Sequence, residues 1–350
     1  MSKIKLSDIH EFVLENAKCN FHCAYCHSGY SEGENNHCSR PVVFNKEWIK
    51  SNVEMNHSEK MNLWGGEPFV NWEAYKEVIE YFKPYVDNMS FICNGSMFDE
   101  DKAKYLVSKK VLIHFSHDLS DQSVRGIDFL KTDKFKKAFY VYKSFKPNWK
   151  VRLRKTYHGE SSSFESDYNY LKEIMNNFIP DIDFRIMIAF GRGFEENSNF
   201  IWKADNLLQY HRDAMEKAIS GDSLAKSFTN ELVKRGLVIM NLTENPSEGR
   251  HLCPATRAYE NGVPFAIGST GHKGHCHCYM EYPRGLGLRE ECEVCSRKGY
   301  CMGACYVTDN TAQCKEWAKL YDGIATITRE YVDKLGIENF KKLTSFEVNK

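Results

Sequence analysis

Over roughly the first 220 residues, short runs of β-type residues alternate with segments whose apolar positions repeat at helical spacing. Strands alternating with helices predict parallel βαβ units, and about six such units form an open, partial barrel. The predicted fold class is therefore α/β, a partial (β/α)6 barrel of the TIM type, with its chemistry at the carboxyl ends of the strands. The predicted strands are Glu11–Glu15, Met61–Trp64, Met89–Cys93, Val111–Ser116, Val151–Lys155 and Phe184–Ala189.

Three amphipathic helices stand out between these strands. Asn71 is expected to cap the first of them, and Pro84 ends it. A second helix carries its apolar stripe between positions 164 and 178, and a third covers about Asp205–Ile219. We interpret the aromatic stripes as core. Their residues are Trp72, Tyr75, Val78, Ile79 and Phe82 in the first helix, and Phe164, Tyr168, Leu171, Met175 and Phe178 in the second.

The helical rhythm stops near position 250, where glycine, histidine, cysteine and short turns become dominant. This stretch has little apolar material for a core, so bound metal would have to supply much of its folding free energy. A last helix, Lys315–Leu335, is expected to pack back on the main body. The predicted domains are a barrel (1–225), a linker or helix (226–248), a small cysteine-rich domain (249–316) and a C-terminal helix (317–350).

Composition narrows the function classes. Lysine plus arginine and aspartate plus glutamate both total 47, so no global field favours nucleic acid or an anionic membrane. Neither an apolar signal region nor an 18-residue apolar run is present, so we expect a cytoplasmic protein without a membrane span. Thirteen cysteines in such a chain favour metal ligation over disulfides. Seven of them lie between Cys276 and Cys314.

A cysteine triplet, Cys19, Cys23 and Cys26, follows the first predicted strand. Thiolates at this spacing can hold three irons of a cubane [4Fe–4S] cluster and leave the fourth iron without a protein ligand. An open iron is a place where a substrate or cofactor can chelate, so the spacing indicates chemistry as well as electron storage. The alternative is a zinc site completed by His22 or His27, because structural zinc takes four ligands.

A glycine pair ends the second predicted strand, in the run Trp64-Gly65-Gly66-Glu67-Pro68. Glycines let the backbone approach a ligand closely. The Glu67 carboxylate could then accept hydrogen bonds from the ammonium group of that ligand. Alone, this run would be an ordinary turn, but the upstream cysteine triplet favours a binding site.

The triplet and the Gly65–Pro68 run together resemble the radical S-adenosylmethionine (radical SAM) superfamily. The resemblance implies that S-adenosylmethionine (SAM) binds the open iron and is cleaved by one electron to a 5′-deoxyadenosyl radical. It makes Cys19, Cys23 and Cys26 the cluster ligands. It also implies cofactor contacts: Tyr25 near the adenine; Gly65, Gly66 and Glu67 at the methionine amine; Asn94 at the ribose or carboxylate; Ser116 near the cofactor; and Arg125 or Arg154 at the carboxylate.

The C-terminal cysteines resemble the SPASM extension of radical SAM enzymes, which holds two auxiliary [4Fe–4S] clusters, making three in all. By that resemblance Cys292, Cys295, Cys301 and Cys314 ligate the farther cluster, and Cys253, Cys276 and Cys305 ligate the nearer one. The nearer cluster then has an open iron, or Cys278 or a nearby histidine closes it. A zinc ribbon would explain only four of these cysteines.

Two further residues are candidates for catalysis. His277 stands where sulfatase-maturating relatives carry an aspartate base, and a neutral imidazole could take a proton near pH 7. Cys38 is a candidate hydrogen-atom donor, whereas Cys93 is expected to be a small buried hydrophobe.

The predicted function is that of an oxidoreductase that modifies a peptide or protein side chain by crosslinking, dehydrogenation or epimerisation, as maturases of ribosomal peptides do. Its expected electron donor is reduced flavodoxin or ferredoxin. Because only eighteen residues precede Cys19, we expect either that a separate protein binds the leader peptide or that the enzyme binds its substrate directly. Two alternatives stay open. One is a radical SAM dehydrogenase or mutase that acts on a small molecule, and the other is a non-catalytic iron–sulfur or zinc protein.

Overall fold

The computed structural model describes residues 3–14, 18–21, 23, 42–190, 202–240, 242, 266–268, 273–274 and 311–343. The chain divides into two compact units. The first comprises Met1–Ser116, Ser123–Trp149 and Pro254–Arg284, and the second His117–Gln122, Lys150–Cys253 and Gly285–Lys350.

Strands and helices alternate along the chain as the sequence predicts. The strands are β1 (Ile4–Lys5), β2 (Glu11–Val13), β3 (Val53–Glu54), β4 (Ser58–Trp64), β5 (Val86–Cys93), β6 (Val111–Ser116), β7 (Val151–Tyr157), β8 (Phe184–Phe190), β9 (Ala266–Gly268) and β10 (Lys273–Gly274). The helices are α1 (Lys46–Asn52), α2 (Trp72–Phe82), α3 (Glu100–Ser108), α4 (Asp133–Phe145), α5 (Phe164–Asn177), α6 (Ala204–Ile219), α7 (Ser223–Ile239), α8 (Thr311–Leu335) and α9 (Ile337–Lys341).

The first unit is built on a sheet in the order β10-β9-β2-β4-β5-β6, and β1 pairs separately with β3. Its strands run parallel except for the antiparallel pair β9–β10. Val13 pairs with Trp64, and Cys93 pairs with Phe115, so the carboxyl ends of β2, β4, β5 and β6 share one edge. The α/β class and the predicted strands of this unit are confirmed. The strand pair β9–β10 comes from the segment that the sequence assigned to the cysteine-rich domain.

Aromatic side chains fill the core of the first unit. Phe115 lies 5.3 Å from both Phe98 and Phe135, measured between ring centroids. The predicted stripe of α2 is buried at Tyr75, Val78, Ile79 and Phe82. Asn71 is the N-cap residue of α2, but its side chain makes no capping hydrogen bond. The prediction of a capping side chain is therefore wrong, because that amide group bonds elsewhere.

The second unit pairs β7 with β8 in parallel and packs a group of helices. Helix α8 contacts both α6 and α7, which confirms that the last helix packs back on the chain. Trp202 meets Trp317 edge to face with ring centroids 4.9 Å apart. Helix α7 runs across the predicted boundary at 225, and the predicted domain limits stay predictions. Among the described residues, no helix is both long and apolar enough to cross a membrane.

A buried ion pair stands out in the second unit. Strand β7 alternates strictly and turns Lys155 to its buried side, where the side chain is fully enclosed. The Lys155 ammonium lies 2.5 Å from Asp167 and 3.1 Å from Asp121. The Asp167 carboxylate also accepts from the Tyr210 hydroxyl at 2.9 Å and from the Ser162 hydroxyl at 2.8 Å. These bonds offset the cost of removing both charges from water.

We expect Asp167→Asn to lower the free energy of unfolding by about 3–5 kcal/mol, because it leaves a buried ammonium group without its nearest carboxylate. Chemical denaturation measures the difference. The matched control is Glu330→Gln, which breaks the half-exposed Arg212–Glu330 pair. That change should cost less than about 1 kcal/mol. Equal losses in the two variants would contradict a stabilising role for the buried pair.

Candidate active site

The cysteine loop begins five residues after β2, at the carboxyl edge of the sheet. Cys19 and Cys23 are half-buried thiols. The backbone N–H of Phe21 donates a hydrogen bond to the Cys19 sulfur at 3.5 Å. An amide directed at a sulfur stabilises a thiolate and is one of the features that tune iron–sulfur sites. The described part of the loop therefore suits a soft metal such as iron.

The glycine loop after β4 lies directly against the end of β2. Gly65 has φ +115° and Gly66 has φ +50°, both in the region that favours glycine. A Cβ atom at Gly65 would overlap the carbonyl oxygen of Leu14. The Tyr75 hydroxyl, from the buried face of α2, donates to the Gly65 carbonyl at 2.7 Å. Only glycine fits this close approach, and the loop presents a fixed stretch of backbone beside the cysteines.

Glu67 joins three loops at this edge. Its backbone N–H donates to the carbonyl of Lys18 at 2.8 Å, one residue before Cys19. Its carboxylate accepts from the backbone N–H of Asn94 at 2.6 Å and from that of Phe69 at 3.2 Å. The side chain is fully buried. The predicted contact with a ligand ammonium stays a prediction, and the carboxylate already braces the ends of β4 and β5.

Burial raises the pKa of Glu67 to about 7. The backbone donors of Asn94 and Phe69 and the charge of Arg125 act in the opposite direction and lower that pKa. Arg125 therefore lies close enough for its charge to act on this carboxylate, and its contact with the cofactor carboxylate stays a prediction.

The other predicted cofactor contacts lie in different places. Asn94 directly follows β5 and is buried, and its amide group is bonded to Asn20 and Ser96. Ser116 is the last residue of β6 and half-buried, at the same edge as Asn94. Arg154 belongs to the second unit, on β7, where its carbonyl accepts from the His117 N–H at 3.0 Å.

Several predicted residues lie outside the described part of the chain, so their roles stay predictions. They are Tyr25, Cys26, Cys38, Cys253, Cys276, His277, Cys278, Cys292, Cys295, Cys301 and Cys305. Cys314 falls within α8, but the structure describes only its backbone. Cys93 is buried, and burial followed by the charge of Glu67 raises its thiol pKa well above the usual range. This confirms the expectation that Cys93 is a buried hydrophobe.

Sequence reasoning missed four residues of this site: Asn20, Asn71, Tyr75 and Ser96. Asn20 lies between two of the cysteines, which was a signal in the sequence. Tyr75 was counted as core, and its hydroxyl contact with Gly65 has no signature in the apolar stripe. Asn71 was interpreted as a helix cap.

The residues that the structure describes fit a [4Fe–4S] cluster with bound SAM. Two thiolates, one of them with an amide donor aimed at its sulfur, provide the soft ligands for iron. The glycine loop offers a close backbone surface, and a buried carboxylate stands between the loops. Cys19 and Cys23 would hold the cluster, and Gly65, Gly66 and Arg125 would be the residues that contact an amino acid group bound beside it.

Comparisons with known proteins show which proteins this chain is similar to. Residues 16–144 match the Radical SAM superfamily. The chain is 22% identical over 331 residues to the radical SAM cyclopropyl synthase TigE of Paramaledivibacter caminithermalis (strain DSM 15212 / CIP 107654 / DViRD3), spanning 84% of this chain and 67% of TigE.

Two solved structures share the fold. Native anSMEcpe with bound AdoMet matches with a TM-score of 0.61 and 16% identity over 93% of this chain and 99% of that chain. Native anSMEcpe with bound AdoMet and Cp18Cys peptide matches with a TM-score of 0.59 and 16% identity over 95% and 100% of the two chains. These likenesses show the partial barrel fold that radical SAM proteins have.

We expect Gly65→Ala to destabilise the protein by about 3 kcal/mol or more, because it combines an unfavourable φ with overlap on the Leu14 carbonyl. The control is Gly221→Ala, where φ is +96° but nothing lies within 4 Å of the added Cβ. That variant should lose only about 1–2 kcal/mol, the cost of the backbone conformation alone. Thermal unfolding of both variants measures the difference. Similar losses of stability in the two variants would show that the overlap with the Leu14 carbonyl does not contribute.

The raised pKa of Glu67 predicts a pH dependence of stability. Between its usual pKa of 4.5 and about 7, the native state holds a proton that the unfolded chain has lost. The unfolded state then binds fewer protons, so the free energy of unfolding falls as pH rises through this window, by about 3 kcal/mol from this group.

Chemical denaturation at pH 5 and pH 8, without SAM, tests this dependence. Glu67→Gln should flatten the curve, because its side chain does not titrate. Glu59→Gln, at an exposed position on β4, should keep the wild-type slope. A Glu67→Gln protein with the wild-type slope would show that another group is responsible.

Proposed function

We propose that this chain, whose residues 16–144 match the Radical SAM superfamily, is a radical SAM enzyme of the SPASM group that modifies a peptide or protein side chain. The observation that carries the proposal is the bond from the Glu67 N–H to the Lys18 carbonyl. It joins the glycine loop to the cysteine loop, so a cofactor held by the cysteines would lie against the backbone that fits an amino acid group.

When bound, the cluster supplies one electron to SAM, whose cleavage gives a 5′-deoxyadenosyl radical that takes a hydrogen atom from the substrate. The residues of this chain bind and orient. Cys19, Cys23 and Cys26 hold the cluster, and Gly65 and Gly66 present backbone groups to the methionine amine. The Arg125 guanidinium is suited to the methionine carboxylate, since it can bond that group through two donors.

The peptide substrate is supported by what is said of the relatives. TigE is called a cyclopropyl synthase, and closing a cyclopropyl ring forms a carbon–carbon bond, which is one of the bond types that a crosslinking modification would form. The anSMEcpe structures include complexes with peptides. We propose that the reaction takes its electrons from reduced flavodoxin or ferredoxin.

Two auxiliary clusters complete the proposal. Cys292, Cys295, Cys301 and Cys314 would hold one, and Cys253, Cys276 and Cys305 the other. Protein purified without oxygen should then contain about twelve irons, four for each of three cubanes.

The decisive experiment supplies SAM and dithionite to the anaerobic protein and measures 5′-deoxyadenosine. We expect wild type to release it and Cys23→Ala to release none, because two thiolates cannot hold the SAM-binding cluster. Cys93→Ser is the matched control, since this buried cysteine is not a proposed ligand, and it should keep the activity. Equal release by wild type and Cys23→Ala would contradict the ligand assignment.

The substrate class is tested with deuterium. Any short peptide that is encoded beside the gene for this protein serves as the candidate substrate. It is labelled with deuterium at its side chains and incubated with the enzyme, SAM and reductant. Transfer of deuterium into 5′-deoxyadenosine supports a peptide substrate. Transfer only from a labelled alcohol or amino acid would favour the small-molecule alternative.

A further inference from the structure

On one side of Cys19 the Asn71 side chain holds the backbone of Lys18, and on the other side the Asn20 side chain is bonded to Asn94 and Ser96. We propose that Asn20, Asn71, Asn94 and Ser96, here called the amide clamp, are positioning residues that fix the Cys19 thiolate for the cluster. This inference rests on the proposed function and adds to it residues other than the cysteines and the glycine loop.

The first half of the clamp is Asn71 acting on Lys18. The Asn71 carbonyl oxygen accepts from the Lys18 N–H at 3.0 Å, and its amide nitrogen donates to the Lys18 carbonyl at 2.7 Å. The same nitrogen donates to the Glu67 carbonyl at 2.8 Å. A single side chain thus satisfies both backbone groups of the residue before Cys19 and ties that residue to the glycine loop. The geometry explains why Asn71 does not cap its own helix.

The second half is a closed ring on the other side of Cys19. Asn94 donates through its amide nitrogen to the Asn20 oxygen at 2.8 Å, and Asn20 donates to the Ser96 hydroxyl at 3.0 Å. The Ser96 hydroxyl completes the ring by donating to the Asn94 oxygen at 2.7 Å. The Ser96 backbone N–H also donates to that oxygen, at 3.1 Å. The residue after Cys19 is therefore tied to the end of β5.

Phe21 adds an apolar anchor next to the ring. Its side chain is buried, and a Cβ atom added at Gly126 would lie 3.1 Å from its ring. The Phe21 N–H is the group that donates to the Cys19 sulfur. Because residues 18, 20 and 21 are all held by contacts within the protein, the position of the Phe21 N–H relative to the Cys19 sulfur is fixed by the protein itself.

Two measurable consequences follow. Groups that orient metal ligands typically change metal affinity by about 10–100-fold when they are removed. Hydrogen bonds to cluster sulfurs are among the features that set reduction potentials. Loss of the clamp should therefore speed the loss of the SAM-binding cluster and shift its potential, with little effect on the fold.

The test uses Asn20→Ala, Asn71→Ala and Ser96→Ala in the full-length, anaerobically reconstituted protein. Asn20 is exposed and Asn71 is half-buried, so both variants should keep the fold, and their thermal unfolding is measured beside the wild type. Asn88→Ala is the matched control. Asn88 lies near the start of β5, at the opposite end of the strand from Asn94. Its side chain donates to the Glu59 carbonyl at 3.1 Å.

The readout is the change that SAM induces in the electron paramagnetic resonance spectrum of the reduced protein, which reports the cluster that binds SAM. We expect a ferrous chelator to remove this signal about tenfold faster or more in Asn20→Ala and Asn71→Ala than in wild type. Redox titration of the same signal should give a shifted midpoint potential. Ser96→Thr keeps the hydroxyl and should restore the wild-type rate that Ser96→Ala loses.

Two opposing outcomes are distinct. A wild-type protein whose spectrum does not respond to SAM would overturn the proposed function and the clamp with it. A responsive wild type whose Asn20→Ala and Asn71→Ala variants lose the signal no faster than Asn88→Ala would overturn the clamp alone.

Discussion

The bond between the Glu67 N–H and the Lys18 carbonyl is the contact on which the candidate site depends. Parallel strands bring the ends of β2, β4 and β5 to one edge, but register alone does not fix the loops that follow them. Glu67 fixes them through its backbone on one side and its carboxylate on the other. The cysteine loop, the glycine loop and the end of β5 are thereby held together by hydrogen bonds to a single residue.

The periodic part of this architecture could be predicted from the sequence. The strands of the first unit and helix α2 follow from alternating and helical spacing, which are local properties of the chain. Asn71 could not be interpreted correctly, because an asparagine before a helix looks the same whether it caps that helix or binds a distant backbone. Asn20 and Ser96 meet only in the fold, since 76 positions separate them.

The sequence also could not predict which charged side chains are buried. Lysine is usually exposed, so the sequence alone suggests that Lys155 faces solvent. The alternation of buried residues along β7 and the ion pair with Asp167 of α5 show that its side chain is enclosed. Glu67 likewise has a carboxylate whose donors come from another strand end. The assignment of cluster ligands after Cys23 rests on cysteine spacing and on resemblance. These indicate which residues are ligands but not where they lie in the structure.

Strand β9 has a consequence for how the protein is made. It pairs Gly268 with Val13, so the edge of the first unit is closed by a segment synthesised about 255 positions later. Until that segment leaves the ribosome, one side of β2 offers unpaired backbone groups to any passing chain. Assembly of this edge of the sheet therefore waits until residues 266–268 have been synthesised.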